Sequence, residues 1–200
     1  MKRKILLVEP NYRNKYPPIG LMKLATYHRI LGDDVTFYKG DLKDLLLNSL
    51  YNELLIKLEK IDNQIVWFKY KKDIINFIKT GRKLILEEII KYSNYNTAIK
   101  NWFIYYKNIY RRKEVKKFPK WDRICITTLF TFHWKITIET IKFAKGMVNN
   151  QDEIWVGGIM SSVIPIEVEK ETGIKPWVGM LDKSAILDKG NPIIIDDLPL

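Results

Sequence analysis

Residues 4 to 38 constrain this chain more than any other stretch. Lys4 to Val8 carries four apolar residues in succession, as a strand buried on both faces requires. Leu21, Leu24, Ala25, His28 and Leu31 then recur at helical spacing over Ile19–Leu31, and Gly32 stands where a helix stops. Asp34 to Tyr38 alternates Val35 and Phe37 and reads as a second strand. Strand, helix and strand within some 35 residues is the βαβ signature of a parallel sheet.

The α/β rhythm then pauses. Residues 41 to 118 hold no strand run flanked by turns, whereas Ile99, Trp102, Phe103, Tyr106, Ile109 and Tyr110 recur every three or four residues. Asp44–Leu58 and Asp73–Tyr92 also read as helical, the second interrupted near Gly81. The rhythm resumes with a strand over Arg123–Thr128, a helix over Trp134–Met147 and a strand over Glu153–Val156 ending in Gly157-Gly158. A helix follows over Val163–Glu171, started by Ser161-Ser162 and Pro165, and then short strands at Lys175–Val178 and Ile193–Ile195. The expected fold is a flavodoxin-like doubly wound α/β sheet of five or six parallel strands in the order 2-1-3-4-5. Residues 1–40 and 119–200 form that α/β domain, and 41–118 a helical insertion between strands two and three.

Charge follows the same division. Of the net +11, residues 41–118 contribute 17 Lys/Arg against 9 Asp/Glu, so the α/β part is nearly balanced. A basic helical insertion admits a nucleic acid or another macromolecular substrate as partner. Within it, Trp102, Phe103 and Tyr106 read as helix-packing residues before they read as a base-stacking platform, and Arg111 to Lys117 as a solvated linker. The single cysteine, Cys125, excludes an internal disulfide framework and fits a reducing cytoplasm. It alternates with Ile124 and Ile126 and reads as an inert core residue. No window of eighteen apolar residues exists, so no membrane span is expected. The apolar run after Met1 ends at Val8, too short for a signal peptide.

In an open α/β sheet ligands sit outside the carboxyl ends of the strands. Here those ends carry Pro10, then Pro17-Pro18 and Gly20, then Thr127-Thr128-Leu129, Gly157-Gly158 with Ser161, and Gly179. Glycine lets a ligand approach the backbone, and threonine hydroxyls offer donors and acceptors. There is no G-x-G-x-x-G after strand one, no G-x-x-x-x-G-K-[ST], and no carboxylate at the end of strand three where a phospho-acceptor would stand. Metal-ligand spacing of His, Cys and carboxylates is absent as well. Each residue also has a plainer use. Pro17, Pro18 and Gly20 make a helix-entry turn, and Gly157-Gly158 a strand-to-helix turn. His28 reads as structural, while His133 is the one histidine positioned to reach a ligand.

At these residues the chain resembles the cobalamin-binding-type domain that precedes the catalytic barrel in many radical SAM enzymes. The stretch ILLVEPNYRNKYPPIGLMKLATYHRILGDDVTFY is similar to that family's first strand, Pro-Pro-x-Gly turn and first helix. VGGIMSSVIP resembles its glycine pair and following helix. GIKPWVGMLD and IIIDDLPL resemble segments leading into the barrel. Thr127-x-Leu129 stands where such domains carry Ser/Thr-x-Leu, 27 residues before Gly157-Gly158. The resemblance covers residues 3–40 and 120–200. It implies cobalamin held in the His-off manner, because the loop Asn11–Tyr16 lacks the D-x-H-x-x-G histidine. It implies a C-terminal radical SAM barrel as partner, bearing the [4Fe-4S] cluster and S-adenosylmethionine. One cysteine cannot supply the three thiolates of that cluster, so this chain alone is expected to be inactive and to run on into the barrel. The alternatives are a ligand-free interaction module and nucleic-acid binding through 41–118.

Overall fold

The computed structural model describes residues 2–82, 84–91, 93–112 and 120–200, with side chains set aside at 84–86. The chain divides into two compact units, Met1–Leu42 with Lys120–Leu200, and Lys43–Pro119. In order the elements are β1 (Lys4–Glu9), α1 (Ile19–Ile30), β2 (Asp34–Lys39), α2 (Leu42–Ile61), α3 (Lys71–Thr80), α4 (Leu84–Ile90) and α5 (Asn96–Arg111). Then come β3 (Arg123–Thr128), α6 (Trp134–Ala144), β4 (Ile154–Gly158), α7 (Ile159–Val163) and α8 (Pro165–Thr172).

The first unit is built on a four-stranded, all-parallel sheet in the order β2-β1-β3-β4. Its register pairs Leu7 with Phe37 and with Cys125, and Cys125 with Trp155. Ile5, Leu6, Leu7 and Val8 are fully buried because β1 lies inside the sheet with both faces covered, which is why its sequence does not alternate. β2 is an edge strand with no fully buried residue, and only its sequence, with Val35 and Phe37 two apart, alternates. Side chains on successive residues point to opposite faces. Ile5, Leu7 and Cys125 therefore share a core with Leu21, Leu24 and Tyr27 of α1, joined by Leu187 and Ile195 of the C-terminal segment. Leu6, Val8, Ile124 and Ile126 are buried on the other face, and there α6 packs on α8.

Four strands stand where five or six are expected, and the reasons are local. Lys175–Val178 reaches the sheet through one backbone bond, from Trp177 N–H to the Val156 carbonyl at 2.7 Å. Pro176 has no N–H to extend that pairing, and Gly179 (φ +100°) turns the chain away. Ile193–Ile195 follows Pro192 and passes into a 3₁₀ turn over Ile195–Asp197, so that Ile195 serves as a core plug. The helix expected over Val163–Glu171 is α8, Pro165–Thr172, and a further short helix, α7, precedes it with a break at Ile164 (φ −130°, ψ 57°) before Pro165. Ser161 and Ser162 lie inside α7, so they do not cap it. Gly173 ends α8 in the left-handed conformation.

In the second unit, α2 sets Leu46, Leu50, Leu54 and Leu58 four residues apart, each fully buried. Phe77 of α3 meets Phe103 of α5 edge-on at 5.6 Å, and Trp67 is tilted against Phe103 at 6.4 Å. Trp67 donates its indole N–H to the Asp62 carbonyl at 2.8 Å. Phe103 and Tyr106 are core residues, whereas Trp102 is only part-buried. Of the run Arg111–Lys117, residues 113–117 lie outside the described ones. No described helix is long and apolar enough to cross a membrane.

Candidate functional site

A parallel sheet whose neighbouring strands leave toward opposite faces opens a crevice at its carboxyl edge. Here that crevice is a cavity of about 290 Å³ on the α1 side of β3 and β4. Register dictates what it is made of. Cys125 pairs with Trp155 and Thr127 with Gly157, so all four project to the α1 side. Leu21 and Leu24 of α1 form one wall, and Trp177, Met180 and Leu187 of the C-terminal segment form the other.

Five of the residues expected from sequence meet here: Gly20, Thr127, Gly157, Gly158 and Gly179. A Cβ placed on Gly20, Gly157 or Gly179 would meet no atom within 4 Å, so each leaves open space. Gly158 is different. Its φ is +111°, and a Cβ there would lie 2.3 Å from the Thr128 carbonyl oxygen. The strand-to-helix junction requires it irrespective of any ligand.

The structure moves other expected residues out of contact with the cavity. Thr128 and Ser161 are buried and bonded to one another: the Thr128 hydroxyl donates to Ser161 Oγ at 3.1 Å and accepts from Ser161 N–H at 3.1 Å. They fasten β3 to α7. Leu129 and Pro10 do not line the cavity. Near them, Tyr12 shares a 2.6 Å hydrogen bond with the Thr137 hydroxyl, and burial pushes its phenol up to about 12. Pro17 and Pro18 border a separate, wider depression of about 500 Å³ with Glu9, Tyr16, Phe37 and Lys39. Its buried Glu9 carboxylate is paired with Lys39 at 3.1 Å. His133 has its ring tilted against Tyr12 at 4.7 Å and Phe132 at 4.4 Å, and it lines neither depression.

Three residues that the sequence does not single out also line the cavity. Trp155 keeps a buried indole N–H with no hydrogen-bond partner. Trp177 lies 6.2 Å from it, ring to ring. Asp196 is the one carboxylate among the lining residues, and its Oδ2 accepts from Leu181 N–H at 2.8 Å. The register of β3 and β4 puts Trp155 opposite Cys125, whereas Trp177 and Asp196 arrive from an irregular segment with no periodicity to read.

An ion network at the amino ends of the strands holds that segment in place. Asp188 accepts from Arg3 at 2.7 Å, from Arg123 at 3.1 Å and from the Tyr27 hydroxyl at 2.9 Å. Although burial opposes ionisation, these donors hold the Asp188 carboxyl well below the usual carboxylate range. Arg123 is completed by Glu153 at 2.6 Å, and Arg3 by Asp33 at 2.7 Å. Asp33 also bonds the buried His28 ring at 2.8 Å, and burial lowers the His28 pKa.

The chemistry on offer is binding. Burial pushes the Cys125 thiol up to about 12, which removes it as a nucleophile. Among the described residues no group of three His, Cys, Asp or Glu could hold a metal ion. The cavity stands at the low end of the roughly 300–1,000 Å³ typical of ligand pockets. Flat aromatic walls and open glycines suit a planar ring. No family model, curated protein or solved structure matches the chain.

Proposed function

We propose that the first unit is a ligand-binding domain of the cobalamin type, operating His-off and positioning a corrinoid or substrate beside a radical SAM barrel. The carrying observation is the carboxyl-edge cavity bordered by three glycines whose Cβ positions face open space. The residues fit one part of such a ligand. Leu21, Leu24, Trp155 and Thr127, which line the cavity, would hold that part. A bound corrinoid would supply the reactive cobalt, and this chain's residues would orient it and exclude water. The exposed Phe132, Met180 and Val163 support a partner docking near the same edge. On this reading the cluster and S-adenosylmethionine belong to the barrel, and the protein works in the cytoplasm.

The test is incubation with hydroxocobalamin followed by gel filtration and visible spectroscopy. Retained corrin, lost in Gly157→Leu, supports the reading. A chain that retains none, alone and fused to its barrel, is a ligand-free scaffold.

A further inference from the structure

The geometry points to a second binding surface, on α5 of the helical unit, that takes single-stranded nucleic acid. Asn101, Tyr105, Asn108 and Arg112 are all exposed and fall at i, i+4, i+7 and i+11, so they form one stripe along the helix. Tyr105 is 53% exposed yet braced, with Trp102 edge-on at 5.5 Å and Tyr106 edge-on at 5.3 Å. A ring held in this way presents a stacking surface with little left to order on binding. Asparagine amides on either side offer both donors and acceptors to base edges.

Arg112 ends the stripe, and further cations lie round the helix from it, on the side of α5 that meets the end of α3. The left-handed Gly81 turn brings the end of α3 against α5, and Arg111 donates to the Thr80 carbonyl at 2.9 Å. A Cβ on Gly81 would lie 3.2 Å from Arg111 Nη2 and 3.3 Å from Lys107 Cδ. Lys79 and Arg82 flank the turn, and Arg112 follows Arg111, all of them exposed. Among the described residues none of Lys79, Arg82, Arg111 and Arg112 is ion-paired, although the first unit holds six pairs of Lys or Arg with a carboxylate. The acids Glu87 and Glu88 of α4 are exposed as well and make no pair with them. Cations that make no ion pair among the described residues, on the same helix end as a stacking ring and amides, match a single strand, whose phosphates need charge and whose unpaired bases need a flat partner. A duplex hides its base faces, and an acidic peptide has no use for the ring.

Fluorescence anisotropy of the full chain with labelled 12-nucleotide RNA and DNA strands tests this. Binding should weaken with salt at a log–log slope of roughly −3, from four phosphate contacts on a single strand. Tyr105→Ala should weaken it at least about five-fold, the lower end of one lost base stack, with the circular dichroism spectrum unchanged. Arg82→Ala with Arg112→Ala should bring the slope to roughly −1.5. The inference is overturned by absence of binding at low salt, by a Tyr105→Ala variant that binds like the parent, or by duplex DNA or heparin binding as tightly as the single strand. Because these residues all belong to the helical unit, the result does not depend on whether the first unit binds a corrinoid.

Discussion

Alanine at Gly157 and alanine at Gly158 should have opposite consequences, though the residues are adjacent in β4 and one methyl group is added in each case. At Gly158 the backbone has φ +111° and ψ −168°, a region that costs any residue with a Cβ roughly 1–3 kcal/mol. The methyl would also sit 2.3 Å from the Thr128 carbonyl oxygen and 2.9 Å from its nitrogen. Backbone cannot rotate aside, so β4 must move away from β3. That disturbs two 3.1 Å hydrogen bonds between Thr128 and Ser161, worth about 1 kcal/mol each. The expected loss for Gly158→Ala is about 3–5 kcal/mol. At Gly157 the backbone needs no positive φ, and no atom lies within 4 Å of the new methyl. Removing a strand glycine there should leave stability unchanged or raise it by roughly 0.5 kcal/mol.

Urea unfolding followed by circular dichroism measures both, with the midpoint read at constant m. Two variants that lose stability equally, or a Gly158→Ala loss below about 1 kcal/mol, would refute the division of roles between the two glycines. The same pair separates folding from binding. Gly157→Leu fills the cavity without touching the junction, so ligand retention should fall while the urea midpoint holds.

Replacing Asp188 with alanine strips acceptors from Arg3, Arg123 and Tyr27 at once and should cost about 3 kcal/mol in urea unfolding. Since the folded Asp188 carboxyl is depressed, its contribution is present above the unfolded value near 4 and is lost as pH falls below it; Asp188→Asn should flatten that part of the acid-unfolding curve. Cys125 should resist an aromatic disulfide reagent in the native protein and react stoichiometrically in urea, and rapid native labelling would contradict its burial. Gly81→Ala, at φ +76°, should lower stability by about 1 kcal/mol and the thermal midpoint by a few degrees.

All four strands of the sheet were legible in sequence, and the two central ones most plainly because they are buried on both faces. Ile5–Val8 and Ile124–Ile126 are unbroken apolar runs because the sheet interior demands it, and the parallel order β2-β1-β3-β4 follows from helices intervening between them. Lys175–Val178 and Ile193–Ile195 are apolar for another reason. They cross the α1 face as irregular chain and bury Ile195 against the core, so hydrophobicity alone gives them the look of strands. A short apolar run says that a residue is buried and does not say which backbone carries it there.

The same limit explains why the carboxyl-edge residues were only half sorted. Thr127-Thr128 and Gly157-Gly158 read as two doublets, and each doublet invites one role. A strand gives its successive residues to opposite faces, so no doublet on a strand can act as a unit. Thr127 and Gly157, paired across the ladder, open onto the cavity, whereas Thr128 and Gly158, paired one step on, build the joint with α7. The joint therefore fixes the cavity from behind: Thr128 holds Ser161, Ser161 begins the bonded turn of α7, and the backbone of Gly157 can go nowhere else. From this coupling a Thr128→Val variant, which keeps the shape and removes the hydroxyl, should cost about 1–3 kcal/mol through the unsatisfied Ser161 N–H. It should also loosen ligand retention although Thr128 never touches the cavity. Thr127→Val should do the reverse, sparing stability and weakening retention directly. If the two threonine variants proved indistinguishable in urea unfolding, the assignment of one residue to each face would be wrong.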